Sequence, residues 1–176
     1  MFGGLFFSFL TSSLVGFGMF DSVRSQLASV VKQKPQPRHL LAVFVDGPNM
    51  LRKELGIELK EIKEALFKVG KFKIAKVFLN QFANNRLVEA VANQGFEPVI
   101  TVGDVDVAMA AEATEAIFSP NVHAIVLVTR DADFLPVIVK AKRYGKETVV
   151  VLAEESSAAA LKNTADQIIV LNGGGR

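Results

Sequence analysis

The pattern of hydrophobic and polar positions from residue 39 onward alternates between two kinds of segment. Short, uninterrupted apolar runs rich in β-branched residues have the pattern of strands buried on both faces of a parallel sheet. Between them lie longer segments whose apolar positions recur at helical spacing. The predicted strands are residues 40–45, 73–79, 96–102, 124–128, 148–152 and a short 167–171. The predicted helices are 57–69, 82–93, one that follows Asp106 and ends at 117, one from 135 that ends at Gly145, and 157–163.

This alternation predicts an α/β fold. A strand, a helix of about ten or more residues and a further strand form a βαβ unit with a right-handed crossover. A series of such units builds a mostly parallel central sheet that is covered by helices on both faces. The chain is therefore expected to form a three-layer α/β/α domain.

The first 20 residues follow a different pattern. They carry no charge and contain six of the 14 Phe residues, and they are long enough to be a candidate membrane span. Gly, Ser and Thr residues reduce the apolarity of the stretch, and the spacing of Phe2, Leu5, Phe6 and Phe9 also suits an amphipathic helix. Three interpretations stay open: membrane attachment, a helix docked on the domain or on another subunit of a homo-oligomer, and disorder. A signal peptide is disfavoured because no Lys or Arg precedes the apolar part. We expect a cytoplasmic protein, with membrane association through residues 1–20 as the open alternative.

Two prolines mark the start of the α/β domain. Pro35 and Pro37 cannot continue a helix, so residues 32–38 are expected to form a linker. We therefore divide the chain into an N-terminal hydrophobic, helical segment with its linker (1–38), the α/β domain (39–172) and a flexible, Gly-rich tail (173–176).

The composition excludes several kinds of site. The chain has no Cys, which rules out disulfides, thiol nucleophiles and thiolate metal sites. It has only two His residues, so a His-rich zinc site is not expected, and His123 is interpreted as a sheet-end residue and not as a general base. From Arg38 onward, Lys and Arg balance Asp and Glu at 17 each, once Arg24, Lys32, Lys34 and Asp21 are removed from the totals of 20 and 18. Any binding of nucleic acid must therefore rely on local basic patches.

Carboxylates follow three of the predicted strands. Asp46 comes after the first, Asp104 and Asp106 after the third, and Asp131 and Asp133 after the fourth. The carboxyl ends of parallel strands meet at one edge of a sheet, where ligands of α/β proteins bind. A single Asp at such a place is an ordinary turn former or helix cap. Acidic turns after three different strands indicate a shared site.

Such a group of carboxylates favours a hard cation. Like charges in one crevice repel each other and raise carboxyl pKa values, and a divalent cation relieves that cost. Asn49 adds a neutral oxygen beside Asp46, and Glu112 follows within two turns of the helix after Asp106. Oxygen ligands without Cys or a His cluster favour Mg²⁺ or Mn²⁺.

Three ordered motifs now indicate a family. The runs VFVDGPNM, DVDVAMAAEA and LVTRDADFLPVIVKAKRYGKETVVV resemble the NYN domain, a branch of the PIN-like nuclease superfamily, over about residues 39–171. The resemblance implies a parallel sheet of order 3-2-1-4-5. It also implies divalent-metal-dependent ribonuclease chemistry.

The resemblance assigns roles to individual residues. The residues it implies as catalytic are Asp46, Asn49, Asp106, Asp131 and Asp133. The metal ligands it implies are Asp46, Asp106, Glu112, Asp131 and Asp133. Two positions depart from the family pattern: Arg130 stands where a small Gly is usual, and Glu112 where Asp is commoner.

The expected substrate is single-stranded RNA. The basic residues nearest in sequence to the acidic turns are Arg52, Lys53, Arg130, Lys140 and Arg143, and they are candidates for holding the RNA backbone. For Lys140 and Arg143 a solvated helix face is the simpler interpretation. A non-catalytic module that binds RNA or protein, tethered to a membrane or not, is the alternative function.

Two other enzyme classes are disfavoured. A phosphatase with an Asp nucleophile would need Asp-x-Asp after the first strand, where Pro48 stands. A dinucleotide-binding site would need a Gly-x-Gly-x-x-Gly turn, which this turn lacks.

Overall fold

A computed structural model describes residues 39–154 and 158–171. The strands are β1 (His39–Asp46), β2 (Gly70–Asn80), β3 (Glu97–Thr101), β4 (Ala124–Val128), β5 (Glu147–Leu152) and β6 (Gln167–Val170). The helices are α1 (Gly47–Met50), α2 (Leu59–Phe67), α3 (Asn85–Asn93), α4 (Val105–Ile117), α5 (Leu135–Arg143) and α6 (Ala159–Thr164), with 3-10 turns at Lys53–Leu55 and Ala132–Phe134.

The interpretations of the N-terminal segment and of the tail fall on residues outside the described ranges. The division into 1–38, 39–172 and 173–176 stays a prediction. Over the two described stretches, no helix has the length and apolarity needed to cross a membrane.

The described strands form one parallel sheet of order β3-β2-β1-β4-β5-β6. This confirms the three-layer α/β architecture and the order implied for the first five strands, and β6 extends the sheet beyond β5. From β1 the chain moves outward through β2 and β3, and it then returns to β4 on the other side of β1. The strand order therefore reverses between β1 and β4, which is the place where parallel sheets of this kind bind ligands.

Helices cover both faces of the sheet because alternate strand residues point to opposite faces. On one face, Val43 and Val45 of β1 lie in a core cluster with Ile62 of α2 and Val91 of α3. On the other face, Phe44 lies in a second cluster that also contains residues of α4, α5 and α6. The central strands are thus buried from both sides, as their continuous apolar runs predicted.

Two glycines end helices in the left-handed conformation. Gly95 follows α3 with φ of 85°, and Gly145 follows α5 with φ of 72°. This backbone conformation costs a residue without Cβ almost nothing. The prediction that the helix from residue 135 ends at Gly145 is therefore confirmed.

Gly47 is required for a different reason, which is close packing. A Cβ on this residue would lie 2.5 Å from the backbone oxygen of Phe78 and 2.7 Å from Cδ2 of Leu79. The turn after β1 thus packs directly against β2, and this contact fixes where α1 begins.

We expect Gly47→Ala to lower the free energy of unfolding by about 1–2 kcal/mol, because the backbone has to shift to admit the methyl group. Chemical denaturation of the full chain measures this. Gly103→Ala is the matched control: no atom lies within 4 Å of its added Cβ, and its cost comes only from a φ of 109°. A wild-type unfolding curve for Gly47→Ala would contradict the packing.

Candidate active site

Asp46 is the buried centre of the acidic group. It is the last residue of β1, beside the reversal of strand order, and its exposed fraction is 0%. Its Oδ2 accepts hydrogen bonds from Asn49 Nδ2 at 2.7 Å and from Thr129 Oγ1 at 2.9 Å. Its Oδ1 accepts one from the Asn49 backbone N–H at 3.2 Å, which caps α1. These three donors make burial of this carboxyl group tolerable.

Arg52 fixes the orientation of the Asn49 side chain. Its Nη2 donates to Asn49 Oδ1 at 3.2 Å, and its Nε donates to the Pro48 carbonyl at 2.8 Å. Because the amide oxygen of Asn49 faces Arg52, the amide N–H₂ group faces Asp46. Asn49 therefore contacts Asp46 through its N–H₂ group, whereas the neutral oxygen that the sequence predicted as its contribution to the acidic group faces Arg52.

The turn after β4 brings a second acidic pair to the same place. Thr129 Oγ1 donates to Asp46 and also accepts from the Asp131 backbone N–H at 3.1 Å. Asp131 Oδ1 in turn accepts from the Asp133 backbone N–H at 2.9 Å and caps the 3-10 turn. One hydroxyl group thus joins the carboxyl ends of β1 and β4. Asp131 is partly buried and Asp133 is exposed.

The turn after β3 repeats this local geometry. Asp104 Oδ1 accepts from the Asp106 backbone N–H at 2.9 Å and caps α4, so the expected capping role of Asp104 is observed. Asp106 lies partly buried in the first turn of the helix. Burial is the largest cause that raises the pKa of Asp106 to about 6, and the charges of Asp46, Asp131, Asp104 and Asp133 supply the rest of the increase. All five predicted turn aspartates therefore interact at one edge of the sheet.

The donor chemistry of this group fits a hard divalent cation. In the part of the chain that the structure describes, no three carboxylate or imidazole groups are close enough to surround one ion unaided. Mg²⁺ is commonly held by one or two carboxylates and keeps several water ligands, so this separation is compatible with its binding. Asp46, Asp106 and Asp131 are the groups that could share such an ion and its waters.

Glu112 does not join this group, contrary to the assignment that the resemblance implied. Its Oε2 accepts from Lys76 Nζ at 2.8 Å, and this hydrogen bond raises the pKa of Lys76. Lys76 of β2 is paired with Phe44 of β1, and Phe44 lies two residues before Asp46, so the Lys76–Glu112 pair lies further from the carboxyl edge than Asp46 does. Glu112 lies six residues after Asp106, about 9 Å further along α4, and α4 runs away from the carboxyl edge.

Two of the predicted RNA-binding residues also lie elsewhere. Lys140 and Arg143 are in the last turn of α5, which leads from the carboxyl edge to the amino edge of the sheet. The Nζ of Lys140 lies 5.6 Å from the ring centroid of Phe118, at the end of α4. Arg52 and the exposed Arg130 remain beside the acidic turns, and the side chain of Lys53 lies outside the described part of the structure.

His123 is far from the acidic group as well. It precedes β4 at the amino edge, and its Nδ1 accepts a hydrogen bond from the Leu40 backbone N–H at 3.1 Å. The interpretation as a sheet-end residue is confirmed. Thr129, by contrast, was not singled out from the sequence, although its place directly after a buried strand is a signal for a residue at the carboxyl edge.

Asp106 should make the stability of the metal-free protein depend on pH. Its pKa is about 6 in the folded chain against an ordinary 3.8, so the folded state holds a proton that the unfolded state releases first. Stability should therefore fall as the pH rises from about 4 through about 6. Solvent screening at this partly exposed group limits the loss to about 1 kcal/mol.

Denaturation in EDTA at both ends of this pH range measures the effect. Asp106→Asn should be about 1 kcal/mol more stable than wild type above the window and equally stable below it. A difference between the two proteins that does not change with pH would contradict the shift.

Comparisons with known proteins agree with this architecture. A family model, the NYN domain, matches residues 40–172. An uncharacterized protein of Methanocaldococcus jannaschii is 51% identical over 158 residues, which are 88% of this chain and 65% of that protein. The chain thus spans about 65% of the length of this relative. The crystal structure of a protein of unknown function from Vibrio parahaemolyticus has the same fold, with a TM-score of 0.67 and 18% identity over 80% of this chain and 97% of that one. Since the family model covers most of the chain, the protein belongs to the NYN domain family of the PIN-like nuclease superfamily.

Proposed function

We propose that this protein is a divalent-metal-dependent ribonuclease that hydrolyses phosphodiester bonds of single-stranded RNA at the carboxyl edge of its sheet. The observation that carries the proposal is the convergence of five aspartates from the turns after β1, β3 and β4, where burial and the charges of the other four raise the pKa of Asp106 to about 6. Capping accounts for Asp104 and Asp131 but not for Asp106 and Asp133, which add repulsion. A carboxyl group with a perturbed pKa that capping does not explain, as Asp106 is, is typical of a functional site.

Each residue has a role in this proposal. Asp46, held by Asn49 and Thr129, forms the fixed wall of the site, and Asp106 and Asp131 face the same space with Asp133 at the rim. A bound Mg²⁺ or Mn²⁺ ion would supply an activated water and would offset the charge of the phosphate. Arg52 and Arg130 hold the RNA backbone on either side. Glu112, neutralised by Lys76, takes no part in metal binding.

Metal dependence is the direct test of this function. The full chain should cleave labelled single-stranded RNA in Mg²⁺ or Mn²⁺ and stop when EDTA is added. Without RNA, Mn²⁺ should raise the unfolding temperature, and this gain should be greatest above about pH 6, where Asp106 is ionised. Cleavage that continues at full rate in EDTA would contradict the proposal.

A non-catalytic module for RNA or protein is the second candidate. It is favoured by the fact that, within the described ranges, no three acidic or His side chains form a ready ligand set. In that case RNA would bind equally well with and without Mn²⁺, and no RNA would be cut. A membrane tether in residues 1–20 is compatible with either function.

A further inference from the structure

A small groove lies beside the acidic group at the carboxyl edge. It has a volume of about 320 Å³ and lies between the turn after β1 and the loop that joins β2 to α3. None of its lining residues is charged. Those that matter for the argument are Pro48, Leu51, Leu79, Asn80, Phe82 and Asn84.

The groove shares a wall with the acidic group. Gly47 and Pro48 line it, and they stand between Asp46 and Asn49 in the same turn. Arg52 donates to the Pro48 carbonyl, which places its guanidinium group at the boundary between the two. A chain whose phosphate lies at the carboxylates can therefore place a neighbouring group in the groove.

Phe82 presents an aromatic surface that the fold does not use. Its side chain is 81% exposed, the second highest value among the large exposed hydrophobic residues of the described chain. The loop that carries it is nevertheless fixed, because the Phe82 backbone N–H donates to Asn80 Oδ1 at 3.1 Å. An exposed aromatic ring on an ordered loop is the usual platform for a base of single-stranded nucleic acid.

Two amide groups complete the groove. The oxygen of Asn80 accepts from Phe82, and the oxygen of Asn84 accepts from the Leu87 backbone N–H at 2.9 Å. Their oxygens are thereby oriented, and neither N–H₂ group donates to an acceptor in the described parts of the chain. Both remain as donors for carbonyl or ring-nitrogen acceptors, which every nucleobase carries.

We propose that this groove is a base-binding subsite: one nucleobase of single-stranded RNA stacks on Phe82, is bonded by the amides of Asn80 and Asn84, and thereby sets which phosphate reaches the carboxylates. The uncharged lining favours a base over a phosphate group. Its volume of about 320 Å³ lies at the lower end of the range for pockets that hold small ligands, which suits a single base. The proposal rests on the proposed function in taking RNA as the ligand.

The test is binding of a short, fluorescent, single-stranded RNA to the full chain in EDTA, where no metal-dependent cleavage occurs. Phe82→Ala should weaken binding about tenfold, which corresponds to the loss of one base stack. Ala83→Phe, which fills the groove from its own wall, should weaken it similarly. Phe118→Ala is the matched control, since that ring is 55% exposed but lies at the opposite edge, and it should bind as wild type does.

Abasic RNAs separate a base subsite from a general loss of affinity. Walking one abasic position along the RNA should reveal a single position that weakens binding to wild type about tenfold or more and has a clearly smaller effect on Phe82→Ala, which has already lost the stack. The proposal would be overturned if Phe82→Ala bound RNA as tightly as wild type, or if the losses from Phe82→Ala and from an abasic site were additive at every position. It would also be overturned if Phe82→Ala changed the oligomeric state of the protein and left its RNA affinity unchanged. If binding depends on Phe82 but no RNA is cleaved in Mn²⁺, the result contradicts the proposed ribonuclease activity and not the base subsite. If RNA is cleaved but binding does not depend on Phe82, the result contradicts the base subsite and not the ribonuclease activity.

Discussion

Asp46→Asn is expected to reduce the rate of RNA cleavage by about a hundredfold or more, because it removes the one fully buried charge of the acidic group. The substitution preserves size but not hydrogen bonding. Asp46 accepts from Asn49 twice and from Thr129 once, and an Asn has only one acceptor oxygen. One donor would then face an N–H₂ group, so stability should also fall by about 1–3 kcal/mol.

Asp131→Asn separates the loss of activity from the loss of stability. Only one of the oxygens of Asp131 is needed for its turn, where Oδ1 accepts from Asp133, so the folded state should tolerate the change. Cleavage should still fall about a hundredfold. Both variants are compared with wild type on the same RNA at saturating Mn²⁺.

Glu112→Gln is the control for this pair of variants. Its charge is neutralised by Lys76 on β2, and it should therefore cleave RNA at the wild-type rate. If Glu112→Gln lost as much cleavage activity as Asp131→Asn, Glu112 would have to be counted among the residues of the metal site. Wild-type rates in both Asp variants would refute the site as a whole.

The sequence predicted the strands well because burial on both faces leaves a strong pattern. β4 has the bounds that were predicted, Ala124–Val128, since all five of its residues are apolar and fully buried. The four-residue helix α1 left no such pattern. It is too short to show a helical period, and it is fixed by the cap from Asp46 and by the packing of Gly47 against β2.

The sequence predicted correctly which turn aspartates lie at the carboxyl edge. It predicted less well how far from that edge the charged residues of the following helices lie. Residues in a turn stay at the edge, as Asp46 and Asp131 do. Residues in the following helix move away from it by about 1.5 Å each, because the helix returns toward the start of the next strand. This is why Glu112, Lys140 and Arg143 are close to the site in sequence and not in space.

The contact that holds the site together links distant parts of the chain. Thr129 and Asp46 are 83 residues apart, and they meet only because β4 pairs with β1. Neither local propensity nor helical spacing encodes such a pair. Its consequence for stability and for catalysis can be tested separately from the charges of the site.

Thr129→Val should lower the free energy of unfolding by about 2–3 kcal/mol, because it leaves a buried charged acceptor with one donor fewer and removes the acceptor for the Asp131 backbone N–H. Valine has almost the same shape, so a cavity contributes little. Cleavage of RNA should fall about ten- to a hundredfold, since Asp46 and Asp131 lose the group that orients both of them.

Thr129→Ser distinguishes the hydroxyl group from the rest of the side chain. It keeps the donor and the acceptor and removes only a methyl group, so its activity should stay close to wild type, with a loss of stability of about 1 kcal/mol. Equilibrium denaturation and single-turnover cleavage are measured on all three proteins. If Thr129→Val and Thr129→Ser were equally active and equally stable, the hydroxyl bridge between β1 and β4 would not be what orients the carboxylates. A loss of activity and stability in Thr129→Val but not in Thr129→Ser would show that the acidic group depends on a neutral side chain from the opposite side of the strand reversal.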